Sequence, residues 1–320
     1  MSRDAACGVL VCVGLVLSAP AVAQQSTDWP RESPPPPLPA REATFPPYEV
    51  RTLDNGLQVV VVMHHEQPAV NLRLMIAAGA ASDPEGRHGV AALTGQLLDQ
   101  GTSSRDATEI AETIDSIGGV LSVGAGNDLS FVNVLVMTDS FDFGIDLVGD
   151  IARNPSFAPA EIERQRQQVL SGLQVSYDDP GYLAGVVFGR LVYGLHPYGM
   201  PPNGTPASVR QITRDDLRAF HDAHYAPNNA LLAVVGDIDA DAAMSAVERV
   251  FGDWERKALP VFRTVDVPAA TRRVVVIDKP GSLQTAIRVG QRALPRTSPD
   301  YLAFDVAIKI LGGEGGNRLG

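Results

Sequence analysis

The sequence predicts an α+β domain, a mainly antiparallel sheet with helices packed on it, followed by the start of a second domain of the same order. Three observations carry this. Runs of β-branched residues of strand length alternate with segments of helical spacing. An Asn55-Gly56 turn stands between two of the β-runs. The order strand, strand, helix then returns after residue 271.

Each element has its own reason. Residues 50–53 and 57–63 are β-rich and flank Asp54-Asn55-Gly56, whose last two residues tolerate the positive φ of a tight hairpin. A third strand is expected over 70–77, before a loop with Asp83-Pro84-Glu85-Gly86. Residues 90–100 have helical spacing, with Leu93, Leu97 and Leu98 apolar, and stop at Gly101. A second helix spans 106–117 and is closed by Gly118-Gly119. Residues 120–123 and 129–137 read as strands, and the second is apolar on both faces, which predicts that it is covered on both sides. Helices are expected over 140–153, 158–177, 214–224 and 241–251, with a strand over 229–235. The first domain therefore runs from 48 to 256, and a linker with Pro260 and Pro268 covers 257–271. Residues 272–278 and 286–291 read as new strands and 301–311 as a new helix. So short a module buries little surface alone, and 272–320 is expected to begin a second, incomplete domain.

Composition narrows the function. The 320 residues are 45% hydrophobic, and 26 Lys+Arg against 37 Asp+Glu give a net charge of -11. No general positive field is available to hold a phosphate backbone, so nucleic acid is not an expected partner. Beyond the N-terminus no apolar run reaches the roughly 18 residues of a membrane span. Residues 1–23 have Arg3, an apolar core and Ala21-Val22-Ala23, the anatomy of a secretory signal cleaved after Ala23, with a retained anchor as the alternative. Cys7 and Cys12 both lie in that segment, so the mature chain is expected to hold neither disulfides nor thiolate metal sites. Residues 24–47, with Pro34 to Pro37 in a row, read as an extended tether.

A wider pattern lies in the punctuation. It consists of Leu53-Asp54-Asn55-Gly56-Leu57, Gly89-Val90-Ala91 through Gly101-Thr102, Ile117-Gly118-Gly119, Asp179-Pro180, His196-Pro197-Tyr198-Gly199 and Gly204-Thr205. It continues through Tyr225-Ala226-Pro227-Asn228-Asn229-Ala230, Val235-Gly236-Asp237-Ile238, Leu311-Gly312-Gly313 and Asn317-Arg318-Leu319. In this order and spacing the sequence resembles the insulinase/pitrilysin-like zinc peptidases, in particular bacterial members related to mitochondrial processing peptidase, over residues 48–320. The resemblance implies the family's two-domain architecture.

Active members of that family carry H-x-x-E-H on the first helix, nine residues ahead of Gly-Thr. Two His four apart share a helix face and reach one Zn²⁺, and the Glu activates the metal-bound water. Counted back from Gly101-Thr102, those positions hold Ala92, Gly95 and Gln96. The third ligand, a Glu on the long helix, falls at Gly172, and a supporting Glu falls at Gln165. A methyl group and a hydrogen have no lone pair, and a neutral amide is a poor zinc ligand and no base. No relocated site is found. His88 lacks a second ligand at the needed offset, His64-His65 point to opposite faces of a hairpin end, His221 and His224 lack a third partner, and His196 reads as structural. No G-x-S-x-G elbow or phosphate loop occurs.

The resemblance further implies that a peptide is held by adding it as a strand to a sheet edge, which needs no metal. The edge segment maps to 120–124, with Leu121, Ser122 and Val123 as candidate peptide contacts. The expectation is a noncatalytic periplasmic subunit with no cofactor of its own. It would bind unfolded peptide and pair with a zinc-bearing homologous peptidase subunit. A scaffold without a peptidase partner and an active zinc metalloendopeptidase with an atypical site are the alternatives.

Overall fold

The computed structural model describes residues 44–261 and 265–313. The signal reading of 1–23 and nearly all of the tether reading of 24–47 fall outside them. The chain divides into two units, 1–45 and 46–320. Of the first, only residues 44 and 45 are described, and they carry no helix or strand.

The second unit is built on one six-stranded sheet. Its strands are β1 (Tyr48–Thr52), β2 (Gln58–Met63), β3 (Ala69–Ile76), β4 (Val120–Ala125), β5 (Ser130–Met137) and β6 (Ala230–Gly236). Their spatial order is β1-β2-β6-β3-β5-β4. All neighbours are antiparallel except β2 and β6, which are parallel. The last strand thus enters between β2 and β3, so His64-His65 lies in a connection between separated strands and not at a hairpin end.

Side chains alternate across the sheet. Val70, Leu72, Leu74, Val132, Val134 and Val234 point to a face that is sealed from water. Helices α1 (Val90–Leu97), α3 (Phe141–Arg153) and α8 (Ala240–Phe251) cover it, lying on β4 and β5, on β5 and β3, and on β2 respectively. The opposite face is open. Leu135 and Met137 of β5 are 40% and 44% exposed, and Arg73 on β3 stacks over Phe131 at 5.0 Å. This corrects the expectation that β5 is covered on both sides: its second apolar face faces outward.

Helix ends follow from local chemistry. Asp106 and Glu109 form a capping box at α2 (Ala107–Ser116), and Thr213 and Asp216 do so at α7 (Arg214–His224). The long α4 (Pro159–Asp178) ends at Asp179-Pro180, where the Asp179 carboxylate accepts from Gly181 N at 2.8 Å and caps α5 (Pro180–Tyr193). Pro206 opens the short α6 (Pro206–Gln211) under a Thr205 cap. Sequence reasoning missed α5 because the helix is apolar all round and buries no residue fully, so it shows no 3.6-residue stripe.

Several residues that carry the family pattern act as backbone locks. Asn55 accepts from Leu57 N at 3.1 Å and donates to the carbonyls of Phe251 (2.6 Å) and Trp254 (3.2 Å), tying the β1–β2 turn to the end of α8. Asn228 grips the Lys257 backbone twice, donating to its carbonyl at 2.9 Å and accepting from its N–H at 3.0 Å. At Gly236 (φ +148) a Cβ would stand 2.1 Å from Ala69 O, so no other residue fits between β6 and β3.

The C-terminal segment departs from expectation. Residues 272–278 and 286–291 form no strand, since no neighbour among the described residues pairs with them. Val274, Val276 and Val289 are 85%, 87% and 92% exposed. A strand exists only through its hydrogen-bonded partner, and β-propensity alone does not supply one. The expected helix forms as α9 (Tyr301–Ile308), then loosens into a π turn over Lys309–Gly313 with Gly312 at non-helical angles.

Removing the Asn55 lock with Asn55→Ala leaves two part-buried carbonyls and one N–H without their partner. Urea unfolding of the variant is expected to show a loss of about 1–3 kcal/mol.

Candidate functional site

Helix α1 starts under an unusual cap. Its N-cap, Gly89, sits at φ +97, and the Asp83 carboxylate reaches in from upstream to accept from Gly89 N (2.6 Å) and Ala91 N (2.9 Å). Burial pushes the Asp83 carboxyl up to about 7, against the two N–H donors that pull it down. The Gly204 turn closes the other side of this start, so tightly that a Cβ there would lie 2.3 Å from His88 O. The positions to which the resemblance assigns the zinc motif, Ala92, Gly95 and Gln96, follow immediately.

Ala92 is 6% exposed and Gly95 is buried, while Gln96 is half-buried. At Gly95 the helix lies directly on β4: a Cβ would stand 2.7 Å from the Gly124 carbonyl carbon and 2.8 Å from Ala125 N. A glutamate there would displace the strand. Gly172, on the exposed side of α4, meets nothing within 4 Å of an added Cβ. Gln165 is 9% exposed. These residues do not fit a zinc ion: none offers an imidazole or carboxylate, and the position for a general base is closed by backbone. Among the described residues no group of three or more His, Cys, Asp or Glu stands together to hold a metal.

The histidines are placed apart. His65 Nδ1 lies 2.7 Å from the Asp237 carboxylate near the start of the β6–α8 connection. His88 precedes the α1 cap, where burial first and then the Arg190 charge depress its pKa. His196 accepts from Tyr198 N at 3.2 Å and caps a 3₁₀ turn, Pro197–Gly199. His221 is buried, donates from Nε2 to Ala152 O at 2.9 Å and stacks on Tyr225 with ring centroids 4.4 Å apart; burial lowers its pKa. His224 packs on Phe220 at 4.6 Å, and burial lowers its pKa also.

Leu121, Ser122 and Val123 stand in β4, opposite Val134, Asn133 and Val132 of β5. β4 is the last strand in the order, so among the described residues no strand pairs with its outer side. The strand is held at both ends. At one, a Cβ on Gly119 would lie 2.6 Å from Ile114 Cδ1 of α2. At the other, Ala80 N and Ala81 N donate to Gly126 O (2.9 Å) and Asn127 O (2.8 Å). Tyr198 OH donates to Asp128 at 2.5 Å, and this bond raises the phenol to about 12. Sequence reasoning recognised the turn around Tyr198 but not its partner, because 70 residues separate the two.

Comparison with known proteins fits this geometry. Residues 58–188 match the family model "Insulinase (Peptidase family M16)" and residues 211–320 match "Peptidase M16 inactive domain". An uncharacterized zinc protease of Rickettsia felis is 28% identical over 209 residues, covering 65% of this chain and 51% of that protein. One from Mycobacterium leprae is 28% identical over 275 residues, covering 84% and 61%. The chain therefore spans between half and about three fifths of the length of these relatives. The crystal structure of a peptidase M16 inactive domain from Pseudomonas fluorescens superposes with a TM-score of 0.71 at 26% identity, covering 85% of this chain and 66% of that one. The periplasmic protease PqqL of Escherichia coli shares the fold, with a TM-score of 0.63 at 21% identity over 69% of this chain and 25% of that one. The α+β fold and the two matching family models together place the chain in the M16 peptidase fold class. The chain belongs to the insulinase (M16) peptidase family.

Two measurements probe the site. Gly172→Ala, in open space, is expected to gain about 0.5–1 kcal/mol of helix propensity. Gly95→Ala gains the same propensity but meets backbone, and a net loss of about 1–3 kcal/mol is expected. Asp83 binds its proton more tightly when folded, so stability is expected to fall as pH rises from its ordinary value of 3.8 through about 7. Thermal melts across that window should lose this slope in Asp83→Asn.

Proposed function

We propose that this chain is a noncatalytic, periplasmic member of the M16 family that holds unfolded peptide on β4 and works beside a zinc-bearing homologous peptidase subunit. The observation that carries the reading is the contrast between the two sheet edges. Folded proteins protect free edges with charges, prolines or bulges. β1 has Glu49 and Arg51, joined by a 2.6 Å ion pair, and Pro46-Pro47 just ahead of it. β4 has neither a charge nor a proline across Val120-Leu121-Ser122-Val123-Gly124-Ala125. Among the described residues nothing pairs with its outer side, which is what strand addition of a peptide requires.

Catalysis belongs to a partner in this reading, because α1 bears no H-x-x-E-H and Gly172 no carboxylate. The relatives named zinc proteases and the periplasmic protease of the same fold support a peptidase setting. Among the described residues no helix is long and apolar enough to cross a membrane.

Fluorescein-labelled casein, an unfolded polypeptide, provides the test. Ser122→Pro in β4 is expected to weaken its binding at least about tenfold, or ~1.4 kcal/mol, while Val50→Pro in β1 leaves it unchanged. Equal effects of the two would sink the assignment of the edge. Pull-down with a co-encoded H-x-x-E-H homologue tests the pairing, with cleavage of casein expected only in the mixture.

A further inference from the structure

We propose that Gly95 turns helix α1 into a clamp that fixes the edge strand β4 in its peptide-accepting position; the inference rests on the peptide-binding reading above. An edge strand has hydrogen bonds on one side only, so packing must set where it lies. Here the packing is backbone on backbone. A Cβ at Gly95 would approach the Gly124 carbonyl carbon to 2.7 Å, Ala125 N to 2.8 Å and Gly124 O to 3.0 Å.

On the otherwise open opposite face, the strand is covered at Gly124 alone. A Cβ on Gly124 would meet the Phe131 ring at 3.2 Å, and the Arg73 guanidinium stacks over that ring at 5.0 Å. Gly124 is thus gripped between α1 below and Phe131 above. Any side chain at position 95 drives β4 toward the ring, shifting the row of N–H and C=O groups that an added strand would pair with.

The other glycine at a family ligand position behaves differently. Gly172 has nothing within 4 Å of an added Cβ, so its lack of a side chain positions nothing. This separates a clamp at Gly95 from a general need for small residues around the site.

Amide exchange and casein binding on the full chain test the clamp. In Gly95→Ala, the amides of 121–125 are expected to exchange at least about tenfold faster while β3 and β6 keep their protection, and casein binding is expected to fall by a similar factor. Gly172→Ala changes neither quantity. Adding Phe131→Leu to Gly95→Ala gives β4 room to move, which is expected to recover stability but not binding. A folded Gly95→Ala with wild-type exchange in β4 and wild-type binding overturns the proposal. If Gly95→Ala does not fold, the double variant decides: a folded protein with loosened β4 upholds the clamp, and either wild-type protection or failure to fold overturns it. Loosened β4 in Gly95→Ala, together with a wild-type chain that does not bind casein, leaves the clamp standing and overturns the peptide reading.

Discussion

Helix α1 touches strand β4 with no side chain between them at Gly95, and much of the molecule is arranged around that contact. The helix can approach so closely only if its start is fixed, which Asp83 does through the N–H groups of Gly89 and Ala91. The strand can accept it only if it is stopped from retreating, which Phe131, Ile114 and the Gly126–Ala80 hydrogen bond do from three directions. Fixing an edge in this way removes conformational freedom before any ligand arrives, so that a strand added to such an edge would lose less free energy to ordering.

The sheet elements were legible in the sequence wherever one face is buried and the other is not. β3 and β6 alternate, and the core residues Leu72, Leu74, Leu232 and Val234 follow the period of two. The Asn55-Gly56 turn was legible because few residues tolerate its backbone. What the sequence did not reveal depends on partners. β5 is apolar on both sides, yet only one side is covered, since composition records the wish to be buried and not the neighbour that does it. Residues 272–278 show the same limit more sharply: Val274 to Ile277 have strand chemistry, yet with no pairing strand among the described residues they form no strand and stay exposed.

The candidate site was legible in its chemistry and not in its shape. The resemblance assigns the motif positions to Ala92, Gly95 and Gln96 by counting from Gly101-Thr102 and the third ligand position to Gly172 on the long helix, and residue type alone says that none of the four is a good zinc ligand or a base. The difference between Gly95 and Gly172 cannot be counted. One is closed by the Gly124 backbone and the other faces open space, a distinction made by the packing of α1 on β4. The Asp128–Tyr198 bond escaped for a related reason, since two loops of unrelated sequence meet only once the sheet has formed.

Several residues that match the family pattern share one property: they act on backbone. Asn55 and Asn228 bind main-chain carbonyls and N–H groups, and Gly204 and Gly236 leave room for a neighbouring carbonyl. None of these tasks refers to a metal or a substrate. A buried main-chain group left unpaired costs roughly 1–3 kcal/mol wherever it occurs, a large part of the margin of a folded domain. A position without a ligand side chain costs the fold nothing if its space is filled by backbone, as at Gly95, or open to water, as at Gly172. The physical demands on scaffold and site are therefore separable, and a chain can meet the first in full while holding none of the groups that would meet the second.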